Sequence, residues 1–272
     1  MMRSLRVERH VSEAGSWELA HGDPEPRLAA HVGRYCSYVE RLDRPLRRRE
    51  LPFARAVLVV SLGPTIEIRG AAGPAQVHSS FVAGIDDGPT ITEHGGVQHG
   101  VQVDLTPLGA FQVLGLPMSE LARRTVALDD LLGGAASELA ERLHDAPGWE
   151  ERFTILDTAL AARAARHRPA SPDVAWAWRR LRETGGRLPI RVLTEELGCS
   201  HRHLSTRFRE QVGMSPKAVA RVLRFERAVD RLRRGGRSLA EIAQDCGYYD
   251  QAHMNRDVRM LAGTTPSALA SP

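Results

Sequence analysis

Apolar residues along this chain recur with two different periods, and the change between them divides it. From Arg55 to Pro107 they gather in short, β-branched-rich runs: RAVLVVSLG, TIEIRG, QVHSSFVAGI, TITEH and GVQVDLTP. The pairs Gly63-Pro64, Gly73-Pro74 and Gly88-Pro89 fall between such runs. Short runs at intervals of roughly ten residues, punctuated by turn formers, predict the strands of a small antiparallel barrel or sandwich. After Pro107 the period becomes helical, at LGAFQVLGL, ASELAERLH and WEERFTILDTALAARAARH. Phe153, Leu156 and Leu160 form one stripe on the last of these. That stripe either packs on the barrel or pairs with a second copy in a homodimer. HRPASP, around Pro169 and Pro172, is the expected linker. Residues 1–50, charged and ending in RLDRPLRRRE, read as an irregular solvated segment. The expected fold class is α+β. A β-rich domain with C-terminal helices covers residues 1–168, and an all-α domain covers residues 173–271.

Within the second domain the pattern is helical throughout. DVAWAWRRLRETGG ends at a glycine pair, as a helix C-terminus should. Trp176 and Trp178 flank Ala177 and face different ways, so at least one belongs to the core. Ser200, Ser215, Ser238 and Asp250 each stand just before a helical run, where N-caps belong. A short tail follows Thr265.

This domain contains an internal repeat. LTEELGCSHRHLSTRFREQVGMSP is answered by LAEIAQDCGYYDQAHMNRDVRMLAGTTP. Pro216 and Pro266, Gly213 and Gly263, Phe208 and Val258, Leu204 and Met254, and His203 and His253 all correspond at an offset of 50 residues. Upstream of the turn the offset is 49, pairing Gly198 with Gly247, Leu193 with Ile242 and Ile190 with Leu239. The second copy therefore has one extra residue in its turn. Each copy, residues 190–211 and 238–262, reads as a short helix, a glycine turn and a second helix. That is helix-turn-helix geometry, and the second helix of such a unit fits a DNA major groove. The joining helix, from about Ser215 to Arg234, carries Val222, Phe225, Val229 and Leu232 on its inner stripe. At ~1.5 Å per residue it spans roughly 27–30 Å, close to the ~34 Å of one DNA turn. In CSHRHLSTRF, Leu204 and Phe208 point inward, while His201, Arg202, Ser205 and Thr206 point outward. Given the repeat, that polar face reads as a recognition surface rather than ordinary solvated surface.

Charge follows the same division. From Ala170 to Pro272 there are 18 basic and 11 acidic residues, while the remainder carries net charge −3, so a polyanion partner is expected for one half only. Lys217 is the only lysine, so nearly all the positive charge is arginine.

Residues from about 173 to 271 resemble the AraC/XylS family of transcriptional regulators. The marks are LGCSHRHLSTRFRE, MSPKAVARVLRFERAVDRLRRG, SLAEIAQDCGYYDQAH and AGTTPSAL. The N-terminal part, including GVQVDLTPLGAFQVLGLPMSEL, resembles the sensor-like regions of some members. The resemblance implies a sequence-specific grip on double-stranded DNA by two helix-turn-helix units. It also implies an N-terminal domain that binds a small-molecule effector or mediates dimerisation, with RNA polymerase as a further partner if the protein activates transcription. By family position, base edges are approached by Arg202, Ser205 and Thr206 in the first unit, and by Gln251, His253, Asn255 and Arg256 in the second. Arg suits guanine, and Gln or Asn suits adenine. His201, Arg207, Arg209, Lys217 and Arg221 are the phosphate candidates. Each of these side chains is equally compatible with a solvated charge. Met254 and Val258 stand where many members carry Phe.

Other chemistries find little support. His78, Glu93, His94, His99 and Asp104 suggest a metal in a cupin-like barrel, but the HxH spacing followed by a downstream Glu is missing, so no metal or other cofactor is expected. GxGxxG, Walker, GxSxG and HExxH motifs are absent, which argues against an enzyme. A DNA-repair enzyme of the alkyl-transfer type needs a reactive cysteine, and Cys36 is the only one outside the helical domain. A sequence-neutral architectural protein is a further alternative. Cys36, Cys199 and Cys246 are far apart, so disulfides and zinc are not expected. With no run of about 18 apolar residues and no signal-peptide pattern, the expected location is the cytoplasm, away from membranes.

Overall fold

The computed structural model describes residues 5–71 and 73–270. The expected outer limits of the two domains, residues 1 and 271, lie outside the described residues. The described strands form two antiparallel sheets. The larger runs in the order β1 (Leu5–Ser12), β2 (Gly15–Gly22), β3 (Val32–Leu42), β10 (Val97–Leu105), β5 (Ala56–Ser61), β8 (Phe81–Ala83) and β11 (Thr125–Ala127). The smaller runs β4 (Leu46–Glu50), β9 (Thr90–His94), β6 (Ile66–Arg69) and β7 (Gln76–His78). Val59, Ile68 and Phe81 join the sheets in a small core of their own. β5 is apolar almost throughout because it is an inner strand, paired with β10 on one side and β8 on the other.

Four helices cover the larger sheet's other core: α1 (Pro107–Leu114), α2 (Leu128–Leu132), α3 (Gly134–Asp145) and α4 (Trp149–Ala164). Thr106 caps α1 by accepting the Gly109 N–H at 2.9 Å. α4 is fixed across the sheet by Tyr35 of β3, which is buried and stacks on Phe153 at 5.3 Å. The Tyr35 hydroxyl donates to Asp157 Oδ1 at 2.8 Å, and the Glu25 N–H donates to the same oxygen at 3.1 Å. Phe153, Leu156 and Leu160 are buried in this domain's own core, which settles the choice between packing and pairing for that stripe.

The second domain consists of α5 (Pro172–Glu183), α6 (Ile190–Glu196), α7 (His201–Val212), α8 (Pro216–Arg234), α9 (Leu239–Asp245), α10 (Gln251–Ala262) and α11 (Pro266–Ala270). All four expected N-caps form. Ser200, Ser215 and Asp250 accept from the N–H groups of His203, Ala218 and His253, and Ser238 with Glu241 completes a capping box. Trp178 is buried and Trp176 half-buried.

Three sequence expectations are corrected. Residues 5–50 are ordered as β1 to β4, with a short 3-10 turn at Pro26–Leu28. Apolar alternation is weak there because β1 and β4 are edge strands, exposed along most of their length. They are held by backbone pairing and by cross-strand ion pairs such as Arg9–Glu18 at 2.6 Å. QVHSSFVAGI is not one strand, since β7 and β8 within it belong to different sheets. The tail after Thr265 forms α11.

The domains pack closely on each other. Ala54 and Ile85 of the first lie in the apolar core of the second. Glu226 of α8 accepts the Ala54 N–H, and Arg221 of α8 donates to Asp87 at 2.6 Å. The glycines that cap α7 and α10 rest on one segment of the first domain. A Cβ at Gly213 would lie 2.8 Å from Ile85, and one at Gly263 would lie 3.4 Å from Pro89. Both glycines have positive φ, 101° and 62°, which a side chain would strain.

Tyr35→Phe leaves Asp157 with one fewer donor in a buried site. The expected loss is about 1–2 kcal/mol of unfolding free energy with the fold unchanged, measured by urea denaturation.

Candidate nucleic-acid interface

The polar faces of α7 and α10 owe their form to a shared inner stripe. Leu204, Ser205, Phe208, Gln211 and Val212 of α7 are buried, as are Met254, Asp257, Val258, Leu261 and Ala262 of α10. The remaining positions match across the repeat. His201, Arg202, Thr206 and Arg209 are exposed on α7, and their counterparts Gln251, Ala252, Arg256 and Arg259 are exposed on α10. Each set lies in the first two and a half turns of its helix, so each unit offers an equivalent outward surface. The joining helix α8 has 19 residues, or about 28 Å at ~1.5 Å per residue. Val219, Val222, Phe225, Val229 and Leu232 along it are buried in a core shared by both units. Lys217 is exposed in its first turn.

The structure does not bring every expected residue to this surface. Ser205 is turned inward, 6% exposed, with its hydroxyl unpartnered. Asn255, its counterpart at the offset of 50, is half-buried, and its Oδ1 is buried without a partner. The cause is common to both. These positions adjoin Leu204 and Met254, and the buried stripe is wide enough to include Ser205 and to half-cover Asn255. His253 is half-buried, with its ring edge-on to Tyr248 at 5.2 Å, and Nδ1 accepts the Tyr249 N–H at 3.5 Å. His253 thus stiffens the turn that leads into α10. Arg207 lies 3.7 Å from Asp173 of α5. Arg221 is held by Asp87, which also takes Arg123 at 2.6 Å, so it is an interdomain contact rather than a free phosphate ligand. Burial opposes ionisation of Asp87, yet the two guanidinium groups hold its carboxyl below the usual value.

Two residues of this surface escaped the sequence reading. Arg259 is exposed and matches Arg209 at the offset of 50, so the repeat itself carried the signal. Tyr249, 94% exposed, sits in the turn just before α10, and no periodicity marks it.

The metal and nucleophile candidates fare differently. Asp104 is occupied by Arg34 and Arg55, and His94 lies beside Glu40. Among the described residues, no three His, Cys, Asp or Glu side chains converge on a metal position. The Cys36 thiol is pushed up to about 11 by burial, the opposite of an activated nucleophile. Among the described residues, no helix is long and apolar enough to cross a membrane.

Comparison with known proteins agrees with this geometry. The sequence model of a helix-turn-helix domain family matches residues 193–271. The HTH-type transcriptional activator RhaR of Pectobacterium atrosepticum is 31% identical over 121 residues, 42% of this chain and 43% of that protein. RhaR of Pectobacterium carotovorum matches to the same extent. The chain thus spans less than half the length of the curated relatives it matches. Among solved structures, ToxT of Vibrio cholerae superposes with a TM-score of 0.50 over 87% of this chain and 97% of that one, at 8% identity, a likeness of fold alone.

Ser205→Ala removes a buried hydroxyl that has no partner. The expected outcome is unchanged or higher stability, by up to about 1 kcal/mol, in a thermal melt. Residues 193–271 thus carry a helix-turn-helix domain of the matched family, and 42% of the chain is similar in sequence to the RhaR activators.

Proposed function

We propose that the protein is a transcriptional regulator that binds double-stranded DNA in a sequence-specific manner and acts in the bacterial cytoplasm. Residues 173–271 form its DNA-binding domain, and residues 1–168 form a sensor domain under effector control. The observation that carries this reading is the pair of equivalent exposed faces on α7 and α10, joined by a helix nearly as long as one DNA turn. α7 and α10 enter successive major grooves on one side of the duplex. Arg202, Thr206, Gln251 and Arg256 meet base edges there. His201, Arg209, Lys217 and Arg259 contact phosphates and set the register. Ser205 and Asn255 take no part in base reading, and Arg221 takes none in phosphate binding.

Effector control has a physical route. The segments around 51–55 and 84–88 line the cavity between the two sheets. Their neighbouring residues Ala54, Ile85 and Asp87 touch the second domain. An occupant that displaces either segment also displaces the support of α8.

Mapping of bound DNA across the genome yields the operator on which this reading is tested. On that site, Arg256→Ala is expected to weaken binding by about 1–3 kcal/mol while leaving binding to random DNA nearly unchanged. Lys217→Ala is expected to weaken both by similar factors and to reduce the salt dependence of log K by about one. Equilibrium titrations at several salt concentrations measure both effects. Equal affinity of the unmodified protein for the mapped site and for random DNA would refute the reading.

A further inference from the structure

We propose that the cavity between the two sheets is a site for a neutral, largely apolar small molecule bearing a hydroxyl group, and that this hydroxyl bridges His94 and Glu40. The proposal rests on the reading of residues 1–168 as a sensor domain and names the ligand class of that domain.

The cavity measures about 310 Å³. Val57, Val59, Ile66, Ile68 and Phe81 give it apolar walls, which suit a hydrocarbon body. Its polar lining is specific. His94 is 6% exposed, and its Nδ1 accepts the Gly96 N–H at 3.2 Å. The ring proton therefore sits on Nε2. That N–H is buried without a hydrogen-bond partner. Glu40 Oε2 lies 3.3 Å from it, but off the direction a bond requires. Burial lowers the His94 pKa, so the ring is neutral at neutral pH. Glu40 is bound by both terminal nitrogens of Arg48, one of them at 3.1 Å, so the pair is already balanced in charge.

The charges of the lining decide between ligand classes. Of its two guanidinium groups, Arg48 is tied to Glu40, and Arg55 lies 3.5 Å from Asp104, which Arg34 also holds. An anionic head would compete with Asp104 for Arg55 and would carry its charge into a partly dry site. The remaining acidic groups are also engaged. Asp86 Oδ1 accepts the N–H groups of Asp87 and Gly88 at 2.6 and 3.0 Å. Glu50, exposed to solvent, accepts from Thr92 at 3.4 Å. A cationic head therefore gains little. A hydroxyl accepts from His94 Nε2–H and donates to Glu40, parting their bent contact as the carboxylate turns. It satisfies the orphaned donor and brings in no charge.

The test is calorimetric titration of the full chain with four probes that share one aromatic body: 2-naphthol, 2-naphthoate, 2-naphthylmethylammonium and naphthalene. 2-Naphthol is expected to bind tightest, roughly tenfold tighter than naphthalene. His94→Ala is expected to abolish that preference without weakening naphthalene, and His94→Gln, which keeps a donor, to retain part of it. Tighter binding of the carboxylate or the ammonium overturns the proposal. So does equal binding of 2-naphthol and naphthalene, or no binding of any probe. Selective DNA binding is measured on the same preparation. Where it persists while 2-naphthol fails, only the ligand class falls. Where it is absent, the regulator reading falls.

Discussion

The arrangement of the second domain depends on burial along one helix. Val219, Val222, Phe225, Val229 and Leu232 of α8 lie in a core to which both helix-turn-helix units contribute. At about 1.5–3 kcal/mol for each such side chain removed from water, this stripe supplies much of the domain's cohesion. It also joins the two units rigidly. α7 and α10 each bury one face toward this common core, so the two units are joined by a packed helix rather than by a flexible connection.

α8 serves a second purpose on its other faces. Arg221 meets Asp87 and Glu226 meets the Ala54 backbone, while Gly213 and Gly263, at the ends of α7 and α10, rest on Ile85 and Pro89. The helix that joins the two units is thus the helix that the first domain holds. The glycines stand at corresponding places in the repeat, so the segment from Ile85 to Pro89 meets both units at equivalent points.

Much of this was legible in the sequence where the chemistry is local. The four N-caps, the repeat and the apolar stripe of α8 all follow from neighbours within a few residues along the chain. The strands at 56–61 and 90–94 were visible through β-branched residues between turns. β1 and β4 were not, because charged edge strands are held by backbone pairing that leaves little apolar pattern. The site was legible in part. Arg202 and Arg256 lie on exposed faces as periodicity demands. Ser205 does not, because the width of a buried stripe is set by what packs on it, and two marker residues, Leu204 and Phe208, show its centre but not its edge. The role of Arg221 was hidden for a different reason. Its partner Asp87 is 134 residues away in the chain, and no local pattern joins them.

The make-up of the basic face has one further consequence. Lys217, exposed at the start of α8, is the only lysine in the chain, and every other formal positive charge on a side chain is a guanidinium. Guanidinium groups remain protonated far above physiological pH and resist acylating reagents under mild conditions. Enzymes or metabolites that acetylate lysine side chains therefore have a single target on this protein, and cannot erase the attraction of the domain for a polyanion by that chemistry.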